Sequence, residues 1–306
     1  QGLVGGGSAA REVRRPCDAH VEVLAESLSS QATPETLPGQ PVHTFMLENR
    51  AAEEILRELT HILAKAGDSK EADFIEQYRG DLEQLMRRLA GIDLHYLRKE
   101  NQLFPLLEAY DITGPSQVMW ALHDDIREAL KTAKTELASP RGSEALNTIR
   151  YVTKSIEDMI YKEENILFPM AMETLSEADW KKVSQGDKEI GFAWVVPKQE
   201  WAAAATYTPV GKNSVEGAVS LQLATGRLTP EQVNLILMHL PVEISFVDEN
   251  DEVCYYSQVQ KKIFPRSAGV IGRKVQNCHP ASSLHKVQMI IDEFRSGKKD
   301  VAEFWI

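Results

Sequence analysis

Cysteine is scarce in this chain of 306 residues. Cys17, Cys254 and Cys278 are odd in number and far apart, which excludes a disulfide framework and a four-cysteine zinc site and points to a reducing cytoplasm. Basic charge is also in deficit. Lys and Arg total 34 against 45 Asp and Glu, a net charge of −11. A basic footprint for nucleic acid or an anionic membrane surface is therefore not expected. No apolar run approaches the roughly 20 residues that cross a bilayer. The opening QGLVGGGSAA lacks the charged and apolar regions of a secretory leader, reads as an expression scar over 1–10, and is set aside.

What the chain does have is helical periodicity over its first 180 or so residues. A short helix is expected over 11–30, followed by a proline-rich break. Apolar residues at helical spacing then predict helices over 42–66, 72–110, 118–137 and 144–175. Short connectors between long helices predict an antiparallel four-helix bundle over 11–180. Beyond Trp180 the character changes. GFAWVV and GAVSLQLATGRLT read as strands within a linker over 181–227. Thr229 caps a helix, VEISFVDENDEVCYYS reads as a hairpin, short helices follow to about 295, and SGKKDVAEFWI begins another strand. The expected class is an all-α bundle followed by a smaller α+β domain over 228–306, whose sheet stops before it is complete.

One phrase occurs twice: KENQLFPLLE from Lys99 and EENILFPMAME from Glu163. Residues three, four and seven apart share a helix face, so Glu100, Glu163, Glu164 and, on the first helix, Glu48 border or enter apolar stripes. A buried carboxylate requires a metal, a histidine or a basic partner. One reading is an ion pair with Lys99, Lys154 or Arg150. The other is a metal, because His43, His95 and His123 lie on three separate helices, each with a Glu five residues on. Five residues turn an ideal helix by about 140° from the start, so His95 and Glu100 share a face only across a π-bulge, or else each joins partners on neighbouring helices.

HYLRKENQLFPLLE, ALHDDIREAL and YKEENILFPMAME resemble the hemerythrin-like HHE family. HTFMLENRAAEEIL and the C-terminal VIGRKVQNCHPASSLHKVQMIIDEFRSGKKDVAEFWI resemble a narrower prokaryotic family joining an HHE bundle to a PAS domain. The resemblance implies an iron-binding bundle and a sensory module. The family pattern places His on the first helix, where Asn49 stands, and His-x3-Glu on the second, where Lys99 follows His95. His123 matches on the third helix. Met159 replaces His on the fourth, where Glu163 matches. The expected metal set is His43, Glu48, His95, Glu100, His123, Glu163 and Glu164, holding mono- or dinuclear iron, with zinc, manganese or a vestigial site as alternatives. His279 and His285 are the candidates for haem or a small ligand in the PAS-like domain.

The expected function is a cytoplasmic sensor in which iron responds to oxygen, nitric oxide, redox state or iron supply and the PAS-like domain relays the change, as a homodimer. The alternatives are a di-iron protein of iron–sulfur repair or peroxide handling, and a scaffold with a degenerate metal site. No nucleophile–base constellation or phosphate-binding glycine loop argues for catalysis.

Overall fold

The computed structural model describes residues 36–66, 71–139, 144–198, 201, 220–259 and 266–303. The helix expected over 11–30, and residues 199–200 and 202–219 of the linker expected over 181–227, lie outside them. Helix α1 (Pro41–Leu63) starts on a proline, whose missing N–H costs nothing in a first turn. Helix α2 (Glu71–Leu89) leads through Ala90–Gly91 into α3 (Ile92–Arg98). A π-helical turn (Lys99–Leu103) joins α3 to α4 (Phe104–Glu108). Then come α5 (Gly114–Ala138), α6 (Ala145–Lys162), a second π turn (Glu163–Leu167) and α7 (Phe168–Thr174). Phe45, Leu59, Leu82, Leu103, Ile149 and Leu167 are wholly buried where the stripes meet.

The expected four-helix bundle is present, but the helix expected over 72–110 is divided. At Gly91 a Cβ would lie 2.7 Å from Trp194 Nε1, whose N–H donates to the Arg88 carbonyl. The chain there turns under the indole, and a side chain would block it.

Both π turns fall on the repeated phrase, for one reason. Pro105 and Pro169 lack the N–H that would continue the ladder, and their rings crowd the carbonyl four residues back. The widened turn absorbs the conflict. Asn101 Nδ2 donates to the Leu97 carbonyl at 2.9 Å, and Asn165 Nδ2 to the Tyr161 carbonyl at 2.8 Å. The repeated Asn-x-Leu-Phe-Pro is thus the sequence of a π turn with its own side-chain brace.

GFAWVV is not a strand. An additional helix, α8 (Glu177–Ile190), precedes it, opened by a reciprocal Ser176–Asp179 capping box and closed by Gly191 at φ +96°. In the second domain β1 (Leu221–Leu223) pairs antiparallel with β2 (Gly226–Leu228). The Thr229-capped helix α9 (Pro230–His239) follows, then the hairpin of β3 (Ser245–Val247) and β4 (Val253–Tyr256). The acidic turn closes on itself: Asp248 Oδ1 accepts from the amides of Asn250 and Glu252 at 2.9 and 2.8 Å. Two 3₁₀ turns (Ala268–Val270 and Val275–Cys278) lead to α10 (Ala281–Arg295). The strand expected after α10 does not form over 296–303. Among the described residues no helix is long and apolar enough to cross a membrane.

Candidate functional site: a charge network across the bundle

The two π turns bring the two copies of the repeat face to face at the bundle centre. Lys99 and Glu163 hold the same place in the phrase, and they pair with each other. Both are fully buried. Lys99 Nζ also lies 3.0 Å from His123 Nε2 and 4.5 Å from the centroid of the Tyr96 ring. The ring is itself stacked on His123, with centroids 3.9 Å apart.

The contacts run on in both directions. His95 Nδ1 lies 2.8 Å from Glu48 Oε2 and His95 Nε2 3.1 Å from Glu163 Oε2, so both ring nitrogens face carboxylates. Arg98, fully buried, donates to Glu48 at 2.8 Å and by two bonds of 2.8 and 2.9 Å to Asp187 on α8. The Ala193 amide donates to the other Glu48 oxygen at 2.7 Å. On the far side His123 Nδ1 donates to Glu100 at 2.7 Å, and Arg127 grips Glu100 by two bonds of 2.9 Å. The carboxylates of Glu48 and Asp187 face Arg98, that of Glu163 faces Lys99, and that of Glu100 faces Arg127. His123 remains neutral between Lys99 and Glu100.

Electrostatics follow from burial and these partners. Burial alone would raise the Glu163 carboxyl, but Lys99 and His95 more than offset it and hold it at about 2. Burial lowers the Lys99 amine against the pull of Glu163. The partners' directions differ, and the geometry favours the ionised pair, since Nζ sits between a carboxylate, an acceptor nitrogen and an aromatic face. Burial, then the Lys99 and Arg127 cations, hold His123 well below 6.5. Burial pushes Glu100 up to about 7 against Arg127.

These shifts give a pH profile. Below pH 6.5 the unfolded chain protonates His123 and the folded chain does not, so that site lowers stability as pH falls. Glu100 acts oppositely from about 7 to 4.5, because the folded chain takes up its proton first. Each slope is at most about 1.4 kcal/mol per pH unit, and the two offset each other between 6.5 and 4.5. Below 4.5 Glu163 joins His123 in drawing stability down. Urea unfolding between pH 7 and 3 is expected to show a plateau and then a steep fall below 4.5. A decline that starts at 6.5 would mean that Glu100 stays ionised in the fold.

Of the expected metal set, Glu48, His95, Glu100, His123 and Glu163 meet in this network. His43 is half-buried on α1, and none of the network's hydrogen bonds is made to it. Glu164 lies at the bundle edge with Asn49 (3.1 Å) and Arg50, so it is no inward counterpart of Glu100. Of the basic partners considered, Lys99 is the one engaged. Lys154 pairs with exposed Asp158, and Arg150 bonds Asn147. Arg98, Arg127 and Asp187 were not anticipated. The Ser176-x-x-Asp179 cap announces the helix that delivers Asp187, but not where that helix packs. His279 is half-buried against a cavity between the domains, while His285 is exposed on α10 and is not part of that wall.

As arranged, the donors do not fit a metal ion. Each carboxylate of the network is already bound to a side-chain cation, and a cation could reach both Glu163 and His123 only by displacing the Lys99 ammonium. Among the described residues no three His, Cys, Asp or Glu side chains converge as a ligand set.

Comparison with known proteins places these observations. The Hemerythrin HHE cation binding domain family matches residues 40–171, and a PAS domain family matches residues 233–306. No curated protein matches. A crystal structure of a C-terminal domain from Streptococcus mutans is 36% identical and covers 29% of this chain and 69% of that chain, with a TM-score of 0.27. The repeat, the bundle and the hairpin-bearing second domain thus have their place: the chain carries a hemerythrin HHE domain followed by a PAS domain.

Proposed function

We propose that this chain is a signalling protein in which the charge network inside the hemerythrin bundle and the PAS domain are coupled through the first π turn. The family pair itself, a cation-binding family's bundle and a PAS domain, suggests sensing. The single observation that carries the coupling is a pair of hydrogen bonds. Pro105 has no N–H to donate to the Glu100 carbonyl five residues before it, and its ring crowds the Asn101 carbonyl four residues before it, so each gains from an outside donor. The PAS domain supplies both: Ser267 Oγ donates to the Asn101 carbonyl and Arg273 Nη1 to the Glu100 carbonyl, each at 3.0 Å. Arg273 also grips Glu108 by two bonds of 2.8 Å. At Gly269 a Cβ would stand 2.7 Å from the Asn101 carbonyl oxygen, so this approach needs a glycine. The backbone read by the PAS domain is thus the backbone that carries Lys99 and Glu100.

A cavity of about 230 Å³ lies on the same seam, walled by Glu100, Trp120 and Arg127 of the bundle and by Val253, Arg266 and His279 of the PAS domain. A small molecule bound there would touch the network and the PAS domain at once. The iron-based sensor and the iron–sulfur or peroxide alternative both require donors that are here committed to Arg98, Lys99 and Arg127. The side-chain network, rather than a metal, is therefore the element this proposal couples. Homodimerisation belongs to the proposal too, since the PAS domain exposes Leu235, Ile236, Val242 and Phe246.

Coupling is reciprocal. Arg273→Met with Ser267→Ala is expected to raise amide exchange over 97–104, on the bundle side, by about tenfold. Lys99→Met is expected to raise it over 267–275, on the PAS side. Exchange confined in each case to the substituted domain would remove the coupling.

A further inference from the structure

We infer that the Lys99 ammonium is this bundle's own tethered cation: it takes the place that the HHE family gives to a bound cation and leaves the bundle independent of metal. The inference goes beyond the proposed signalling role and holds whether or not the PAS domain is coupled. Three observations support it.

The first is position. The repeat makes Lys99 the pseudo-symmetric counterpart of Glu163, and His95 the counterpart of Met159. Two facing π turns would present two carboxylates to one another if both copies read Glu. This chain reads Lys in one and Glu in the other, and the opposite charges meet.

The second is coordination. An ammonium offers three donors and no acceptor. Lys99 directs them to Glu163 and to the acceptor nitrogen of His123, with the Tyr96 ring beside it. These partners, a carboxylate oxygen and an imidazole nitrogen, are the groups a divalent cation would take.

The third is charge. Buried carboxylates without a cation repel one another, and each of the four in this network already touches a side-chain cation: Glu48 and Asp187 at Arg98, Glu163 at Lys99 and Glu100 at Arg127. A divalent ion added to that set would sit beside those cations in a dry interior.

Metal analysis and thermal unfolding of the full chain test this. Protein expressed with supplemented iron, zinc and manganese is expected to carry less than about 0.1 equivalent of any of them and to keep its melting temperature in EDTA. Lys99→Glu recreates His-x3-Glu at 95–99 and gathers carboxylates around His95. That variant is expected to take up about one Zn²⁺ or Mn²⁺ and to melt at a temperature that rises with the ion and falls on chelation. Wild-type protein with stoichiometric metal, or one that EDTA destabilises, overturns the inference. So does a folded K99E that ignores metal. If K99E does not fold, Lys99→Gln decides: stabilisation by Zn²⁺ supports the inference, and a folded, unresponsive K99Q overturns it.

Discussion

Replacing Lys99 by Met is expected to destabilise the fold by about 3–5 kcal/mol. Met keeps most of the aliphatic stem and removes the charge, so packing changes little. What remains is a Glu163 carboxylate, wholly buried, whose remaining side-chain partner among the described residues is His95 Nε2. His123 loses the donor to its Nε2. For a chain of this size the loss corresponds to a fall in melting temperature on the order of 10 °C. Glu163→Gln alone should also be costly, since it leaves a buried ammonium. The double variant K99M/E163Q removes both charges while keeping an acceptor for His95, and it should lose clearly less than the sum of the single losses. A cycle of urea unfolding midpoints reads the difference, with a coupling of about 2 kcal/mol or more expected. Additive losses would mean that Lys99 and Glu163 do not act as a pair.

Arg98→Met is expected to cost about 3–5 kcal/mol, because one substitution strips buried Asp187 of its cation and leaves Glu48 with His95 and the Ala193 amide alone. Arg98 joins Glu48 on α1 to Asp187 on α8, and its guanidinium lies 4.2 Å from the Phe45 ring centroid and 4.8 Å from that of Phe192. It is the clasp that holds α8 and the following Phe192–Trp194 segment on the bundle. The loss should therefore be local first: amide exchange and proteolytic cleavage should rise over 177–194 before the bundle melts. Arg98→Lys should not rescue it, since an ammonium cannot reproduce the paired bonds to Asp187. Asp187→Leu on the Met background should recover part of the stability, because it removes one of the stranded charges. A variant R98M whose 177–194 region exchanges as in the wild type would show that α8 is held by its apolar face, through Trp180 and Val183, instead.

Much of this molecule could be read from residue order. The helices follow from where Phe45, Leu82 and Ile149 recur, because a helix interior depends on neighbours three and four residues away. The π turns are equally local. The five-residue step from His95 to Glu100 left a π turn as one of two readings, and a proline six residues after Lys99 is the reason one forms. The second turn, over Glu163–Leu167, was not read from the sequence, although its Leu-Phe-Pro carries the same cause.

Pairing is a different matter. Lys99, Lys154 and Arg150 are all basic residues near the stripes, and nothing in their spacing separates them. Their fates were decided by the packing of the two π turns against each other, which sets Lys99 inside, while Lys154 lies on the exposed face of α6. Glu100 and Glu164 hold the same place in the phrase, yet Glu100 meets α5 and Glu164 meets the exposed guanidinium of Arg50 on α1. Asp187 reaches Arg98 only because α8 folds back across α1 and α3. The donors to the Asn101 and Glu100 carbonyls, Ser267 and Arg273, each stand more than 160 positions away, and nothing local in the sequence points to them. Backbone periodicity is a short-range property and survives in the linear sequence. The charge that neutralises a buried carboxylate is chosen by long-range packing, and only the assembled tertiary structure decided it.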